Sequence, residues 1–353
     1  MADDIKFCLL GHESDRDEIL RLCGPVEFRP VRSPIYSLSE QIEIPQKTRD
    51  LNLLHAPHFN IPVFYQGKMV VTVHDLIYLY PIGNGRPAYL QAGDRSLSSL
   101  ARRIYARWIF KALAKKAAAI LSVSQFTKNE LLKFYPEFPS QKIFVTHEAV
   151  GPHFRRINNP GELAAAKEKF KLNKPFVLFV GSLKPHKNIP ALIEAFSYVI
   201  SRERSRPFPT SHELVLVGRM DKKDDLVFKL ASQHSFVRYL GELTDVELVS
   251  VYNLAQVFVL PSFWEGFGLP LLEAMACGVP VICSDRSSLP EVAGDAGLFF
   301  QPDRVDALKD LLYNVLMEKE LRQKMSQNGL ERIRQFSWQK TAAQTLEVYR
   351  QVL

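Results

Sequence analysis

Beyond Phe176, short and almost wholly apolar runs alternate with longer stretches whose apolar residues recur at helical spacing. Strands are expected at 176–180, 213–217, 236–240, 257–260, 279–283 and 298–300, and helices at 192–200, 224–232, 245–255, 269–277 and 305–316. Strands this apolar are buried on both faces, so the pattern predicts a doubly wound α/β domain with a parallel sheet covered by helices on each side. The first half is less regular. It shows strand signals at 6–10, 52–55, 69–73, 118–123 and 142–146, with a long basic helical stretch over 97–117, consistent with a second parallel-sheet domain. Gly151-Pro152 and Asn158-Asn-Pro-Gly161 are strong turn signals, so the domains are drawn as 1–152 and 153–335, followed by a terminal helix over 336–353.

A chain of 353 residues is long enough for two ordinary domains, and 46% hydrophobic with 24% charged residues is typical of globular protein. No apolar run approaches the ~20 residues of a membrane span. The acidic start, Met1-Ala-Asp-Asp, lacks the basic opening and apolar centre of a signal peptide, so a cytoplasmic protein is expected. Cys8, Cys23, Cys277 and Cys283 show no metal-type spacing and read as free thiols. The net charge of +7 favours anionic partners without choosing among them. Arg103, Arg107, Lys111 and Lys115 recur every four residues beside Ile104 and Trp108, which suits either a core-facing helix with a solvated basic face or one resting peripherally on an anionic membrane. No zinc-finger or RNA-motif signature points to nucleic acid.

Candidate chemistry lies just after the strands, where doubly wound sheets bind their ligands. After 257–260 comes Pro261-Ser-Phe-Trp-Glu-Gly-Phe-Gly-Leu-Pro270, in which Gly266 and Gly268 allow a tight turn and Pro270 suits a first helical turn. The helix head that follows favours a diphosphate, flanked by Glu265 in the loop and Glu273 about one turn into the helix. Carboxylates accept hydrogen bonds from sugar hydroxyls. Lys184 and Lys187 follow Gly181, and Arg219 follows Gly218, all placed to meet an anion as point charges. In the first half His74-Asp75 and His58 also follow strand signals and are expected at an interdomain cleft; Ser124 reads as a helix N-cap.

Glu265 and Glu273 with seven residues between them, enclosing Gly266-Phe267-Gly268-Leu269-Pro270, resemble the signature of the family 4 retaining glycosyltransferases. The likeness continues through Val180-Gly-Ser-Leu-Lys-Pro-His-Lys-Asn188, Ser288-Leu-Pro-Glu-Val-Ala-Gly-Asp-Ala296 and Phe336-Ser-Trp338, and is greatest with the mannosyltransferase-like branch. The resemblance implies the GT-B fold, two Rossmann-like domains facing across a cleft, with the terminal helix returning to the first domain. It also implies a nucleotide-sugar donor, GDP-mannose in this branch, a saccharide or lipid-linked acceptor at the inner face of the membrane, and no metal or other cofactor. Residue by residue, it implies that Lys187 and the Gly181 and Gly266–Leu269 main chain hold the diphosphate, Glu265 orients the sugar, Glu273 takes the ribose hydroxyls and 239–243 walls the base pocket. His74 contacts the sugar from the opposite domain, while His58, Asp75, Lys184 and Arg219 are supporting or acceptor-side candidates.

The chain departs from the family pattern in three places. Ser182 and His186 stand where relatives carry arginine, and the opening Gly11-His-Glu-Ser14 lacks the paired glycines of the usual first turn, as though a first strand unit were missing. The last departure keeps open a catalytically silent homologue that binds nucleotide-sugar or a partner protein. A glycosidase also uses paired carboxylates but needs no diphosphate cradle. A nicotinamide enzyme is disfavoured because no G-x-G-x-x-G follows an early strand.

Overall fold

The computed structural model describes residues 5–79, 97–204, 212–220 and 226–353; the first two residues of the helix expected at 224–232 lie outside that set. The chain opens with β1 (Cys8–Gly11), α1 (Arg16–Cys23) and β2 (Glu27–Pro30), the two strands pairing in parallel from Cys8–Glu27 to Gly11–Pro30. The strand expected at 6–10 is thus β1, and it opens a strand–helix–strand unit. Among the described residues its strands pair only with each other. No residue of α1 is buried, and at eight residues it is too short to stand out as a helix from its pattern alone. Arg29 ties the unit to the rest, forking onto both carboxylate oxygens of Asp50 at 2.7 Å.

The first domain continues with α2 (Glu40–Thr48), β3 (Leu53–Ala56), β4 (Lys68–Val73), α3 (Leu97–Lys116), β5 (Ala119–Ser122), α4 (Gln125–Phe134) and β6 (Ile143–Val145). Its strands form a parallel sheet in the order β3-β4-β5-β6. Ile109, Phe110 and Leu113 of α3 pack into one core with Val71 and Val73, while Arg107, Lys111 and Lys115 face solvent. The basic stretch is thus a core-facing helix with a solvated charged side, on which Ile104 and Trp108 also stay exposed, at 61% and 47%.

The second domain runs through α5 (Pro160–Lys169), β7 (Phe176–Val180), α6 (Ile189–Arg204), β8 (Glu213–Val217), α7 (Leu226–Ser232), β9 (Val237–Tyr239) and α8 (Asp245–Leu254). It continues with β10 (Val257–Leu260), α9 (Leu269–Ala276), β11 (Val281–Ser284), α10 (Leu289–Ala293), β12 (Gly297–Phe300), α11 (Val305–Met317) and α12 (Lys319–Arg332). The six strands lie parallel in the order β12-β11-β10-β7-β8-β9, the 3-2-1-4-5-6 arrangement of a doubly wound sheet read from its other edge. Every residue of β7, β8, β10 and β11 is buried, the physical reason these strands are apolar apart from Glu213 at the start of β8 and Ser284 at the end of β11.

The last helix, α13 (Trp338–Val352), crosses back to the first domain. Val348 packs with Val70, Ala119 and Leu121, the Tyr349 hydroxyl meets His55 Nδ1 at 2.5 Å, and Lys68 Nζ donates to the carbonyls of Val352 and Leu353 at 2.7 Å. Among the described residues no helix is long and apolar enough to cross a membrane, and the four cysteines are free.

Candidate active site

β7 and β10 are neighbours at the point where the strand order reverses, so the loops leaving their carboxyl ends bound the crevice where such sheets take ligands. The β7 loop is drawn tight against β8. Gly218 has φ +130°, and a Cβ there would lie 2.2 Å from the Gly181 carbonyl oxygen, so only glycine lets the two strand ends close. Lys184, exposed, opens the short turn that leads to Lys187; Arg219, also exposed, accepts a hydrogen bond on its carbonyl from the Leu183 amide at 2.9 Å. Gly268, at φ +109°, is the N-cap of α9 and, as a glycine, has no side chain to cap that helix head. Tyr239 stands at the rim and donates to the Gly218 carbonyl at 2.8 Å.

Lys187 and Glu265 meet directly. Lys187 Nζ lies 2.7 and 2.9 Å from the two Glu265 oxygens, with the side chains only 12% and 11% exposed. Ser262 donates to the same carboxylate at 2.6 Å, and Ser287 accepts from the Glu265 amide at 3.0 Å. The loop carboxylate is therefore not a free prong but half of a partly buried ion pair at the mouth of β7 and β10. Glu273, the second carboxylate, takes a 2.8 Å hydrogen bond from the hydroxyl of wholly buried Tyr252. Burial pushes its pKa up to about 6, against the weaker lowering by that hydrogen bond.

The first domain closes onto this loop through its main chain. A Cβ on Gly266 would sit 2.0 Å from the His74 carbonyl oxygen, and the Gly266 carbonyl accepts from Ser124 at 2.8 Å and Thr127 at 3.2 Å. Ser124 also accepts from the Thr127 amide, so the helix N-cap expected from sequence doubles as a contact across the cleft. The Asp75 carboxyl is raised by burial and senses both Glu265 and Lys187. His74 uses both ring nitrogens, Nδ1 on Glu148 at 2.9 Å and Nε2 on the Pro57 carbonyl at 3.0 Å. Both partners are acceptors only, so the doubly protonated ring is favoured, and the Glu148 hydrogen bond raises its pKa. To reach a sugar hydroxyl, the ring must exchange Pro57 for it. His58 lies behind, its ring stacked 6.5 Å from His74 and its pKa lowered by burial.

Phe267 contributes main chain alone, because its side chain is buried between the rings of His147 and Phe336 at 5.9 and 5.8 Å. The structure thus gathers Lys187, Glu265, Gly266, His74 and Asp75, sets Glu273 one turn along α9, and leaves Lys184 and Arg219 at the rim. Residues with no role assigned from sequence complete the closure. Glu291 of α10 accepts from the Gln125 and Phe126 amides at 2.8 and 3.1 Å and meets His147 Nε2 at 2.7 Å, capping a first-domain helix from the second domain. Its place in Ser288-Leu-Pro-Glu291 was visible, but its partners lie more than a hundred residues away.

Burial pushes the Glu291 carboxyl up, yet the bonds from His147 and the two amides outweigh it and hold the pKa below its ordinary value. Glu291→Ala is expected to cost about 1–2 kcal/mol of stability, the range of a lost cap. Because the folded pKa is depressed, the difference between variant and wild type should be full above the unfolded carboxylate pKa of about 4.3 and shrink as pH falls through the folded value. Urea melts of both proteins at several pH values measure it.

Comparison with known proteins agrees with this architecture. Residues 9–153 match the family described as Glycosyltransferase Family 4, and residues 162–332 match Glycosyl transferases group 1. The chain is 33% identical over 305 residues to the O-antigen chain mannosyltransferase B of Escherichia coli, covering 84% of this chain and 74% of that protein. It is 32% identical over 303 residues to the serotype-specific mannosyltransferase WbdA of Escherichia coli, covering 84% of this chain but 34% of that longer protein. Anabaena HepE, solved in complex with UDP, superposes with a TM-score of 0.72 over 98% of this chain and 100% of its own, at 15% identity. With its paired parallel-sheet domains and the Glu265–Glu273 loop and helix at their junction, the chain belongs to the family 4, group 1 glycosyltransferases of the GT-B fold.

Proposed function

We propose that the chain transfers mannose from GDP-mannose to a hydroxyl of a saccharide or glycolipid in cell-envelope polysaccharide synthesis, with retention at the anomeric carbon and without a metal ion. The observation that carries this reading is the Lys187–Glu265 pair at the strand-order reversal, beside a helix whose N-cap is a glycine. The relatives named for O-antigen mannosyl transfer support the choice of sugar. Lys187 and the Gly266–Leu269 main chain stabilise charge on the departing diphosphate, the part played by fixed donors in a preorganised site. Diphosphate then replaces Glu265 as a partner of Lys187, releasing the carboxylate toward the sugar. His74, held by Glu148, faces the same space from the first domain. The basic outer side of α3 suits an acceptor carried at the inner, anionic face of a membrane.

Calorimetric titration with GDP and GDP-mannose tests the assignment: Glu273→Ala is expected to weaken GDP binding by 2–5 kcal/mol, as when a buried hydrogen-bonding charge is truncated. Undiminished binding would sink the ribose role. Binding by the wild type with neither transfer nor donor hydrolysis would instead identify a silent homologue.

The raised Glu273 pKa of about 6 adds a pH signature of opposite signs. GDP affinity should fall as pH drops through about 6, because a protonated carboxyl offers fewer acceptor sites to the ribose hydroxyls. The ligand-free protein should gain stability over the same descent toward the unfolded value of about 4.3, on the order of 2 kcal/mol, since the folded state binds that proton more tightly. Thermal melts with and without GDP read both trends.

A further inference from the structure

Tyr36 holds φ +67° although its side chain is 55% exposed. The left-handed region costs a bulky residue roughly 1–2 kcal/mol, and core packing does not hold this one there. A polar relay does. The Tyr36 amide donates to Glu40 Oε2 at 2.7 Å, the same carboxylate accepts from Asn60 Nδ2 at 2.9 Å, and Asn60 Oδ1 accepts from the Tyr105 hydroxyl at 2.6 Å.

The strained residue is the middle of an aromatic row. Its ring stands edge-on to Tyr105 at 6.0 Å and to His58 at 6.3 Å; Tyr105 continues outward to Trp108 at 6.0 Å, and His58 inward to His74 at 6.5 Å. The outer end is exposed on α3. The inner end is the histidine whose carbonyl abuts Gly266, beside the Lys187–Glu265 pair.

We infer that this row, Trp108, Tyr105, Tyr36 and His58, is the subsite that seats the pyranose rings of the acceptor saccharide, its terminal hydroxyl directed at the cleft. The inference rests on the proposed glycosyl transfer and names the residues that receive the growing chain. Sugar rings present polarised C–H groups to the negative faces of aromatic rings, and hydroxyl edges to acceptors and amides such as Glu40 and Asn60. A lipid chain would take the charged Glu40 carboxylate out of water, and a phosphate would be repelled by it. The fit is therefore to a neutral glycan, and the row's direction, from open surface to cleft, is that of a chain extended at one end.

Tyr36→Gly provides the test, because glycine adopts φ +67° without strain, so the variant folds while the ring is lost. Titration with α-linked mannotriose in the presence of saturating GDP should show affinity weakened about tenfold, with the GDP Kd unchanged. Trp108→Ala at the outer end should weaken mannotetraose more than mannobiose. Equal mannotriose binding by wild type and Tyr36→Gly would overturn the inference, as would a wild type that binds GDP but no mannotriose. Vesicle sedimentation with phosphatidylglycerol supplies the other arm: variants that lose vesicle binding but keep glycan binding would assign the face to lipid. Failure to bind GDP strikes the donor reading alone, and the mannotriose titration still decides this one.

Discussion

Lys187→Ala is expected to abolish measurable binding of GDP and to destabilise the ligand-free protein. The mutation leaves Glu265 at 11% exposure with Ser262 as its remaining side-chain donor, and removing one partner of such a pair costs about 3–5 kcal/mol. Loss of a charge-assisted contact to diphosphate costs a further 2–5 kcal/mol of affinity. The two losses separate in companion variants. Glu265→Gln frees Lys187 for phosphate, so it should bind GDP at least as well as wild type while transfer falls. Replacing both members with apolar residues of similar volume should restore stability without restoring binding, because no uncompensated charge remains. Calorimetry and urea melts on the four proteins suffice. GDP affinity in Lys187→Ala equal to wild type would remove the lysine from the diphosphate site.

Gly266→Ala should have as large an effect on turnover with little on nucleotide affinity. The new methyl would meet the His74 carbonyl oxygen at 2.0 Å, its carbon at 2.9 Å and Asp75 Cβ at 3.1 Å, obstacles that are largely main chain and cannot rotate aside. The first domain must then draw back from the loop, and a misplacement of about 1 Å is enough to cost about 100-fold in rate. Lys187 and the head of α9 belong to the second domain, so GDP should still bind. Steady-state transfer beside GDP calorimetry reads the split, and small-angle scattering reads the opening. An alanine variant with wild-type turnover would show that closure onto His74 is not required.

The second domain was legible because its physics is local. β7, β8, β10 and β11 are buried at every position, so each reads as an apolar run, with only Glu213 and Ser284 as polar strand ends, and Gly266, Gly268 and Pro270 punctuate the turn from β10 into α9. The first domain was less so. α1 is eight residues long and buries nothing, and α2 carries Pro45 in its interior, so neither stood out in the sequence. Trp108 stood out only beside the basic positions of α3 and Tyr36 not at all, since exposure and a positive φ leave no mark in a residue's identity.

Charge pairing lay further still beyond the sequence. Lys187 and Glu265 are 78 residues apart, His74 and Glu148 74, and Glu291 lies 166 and 165 from the amides it caps. Each residue is chemically unremarkable alone. The amino-acid order determined by itself the alternating strands and helices, the glycine turn and the two carboxylates flanking it, because these follow from burial pattern and backbone freedom within a few residues. Only the tertiary structure decided that one carboxylate is locked to a lysine, that the histidine is held from both sides and that an aromatic row leads to them, because those relations arise where separate loops meet across the sheet ends and between domains.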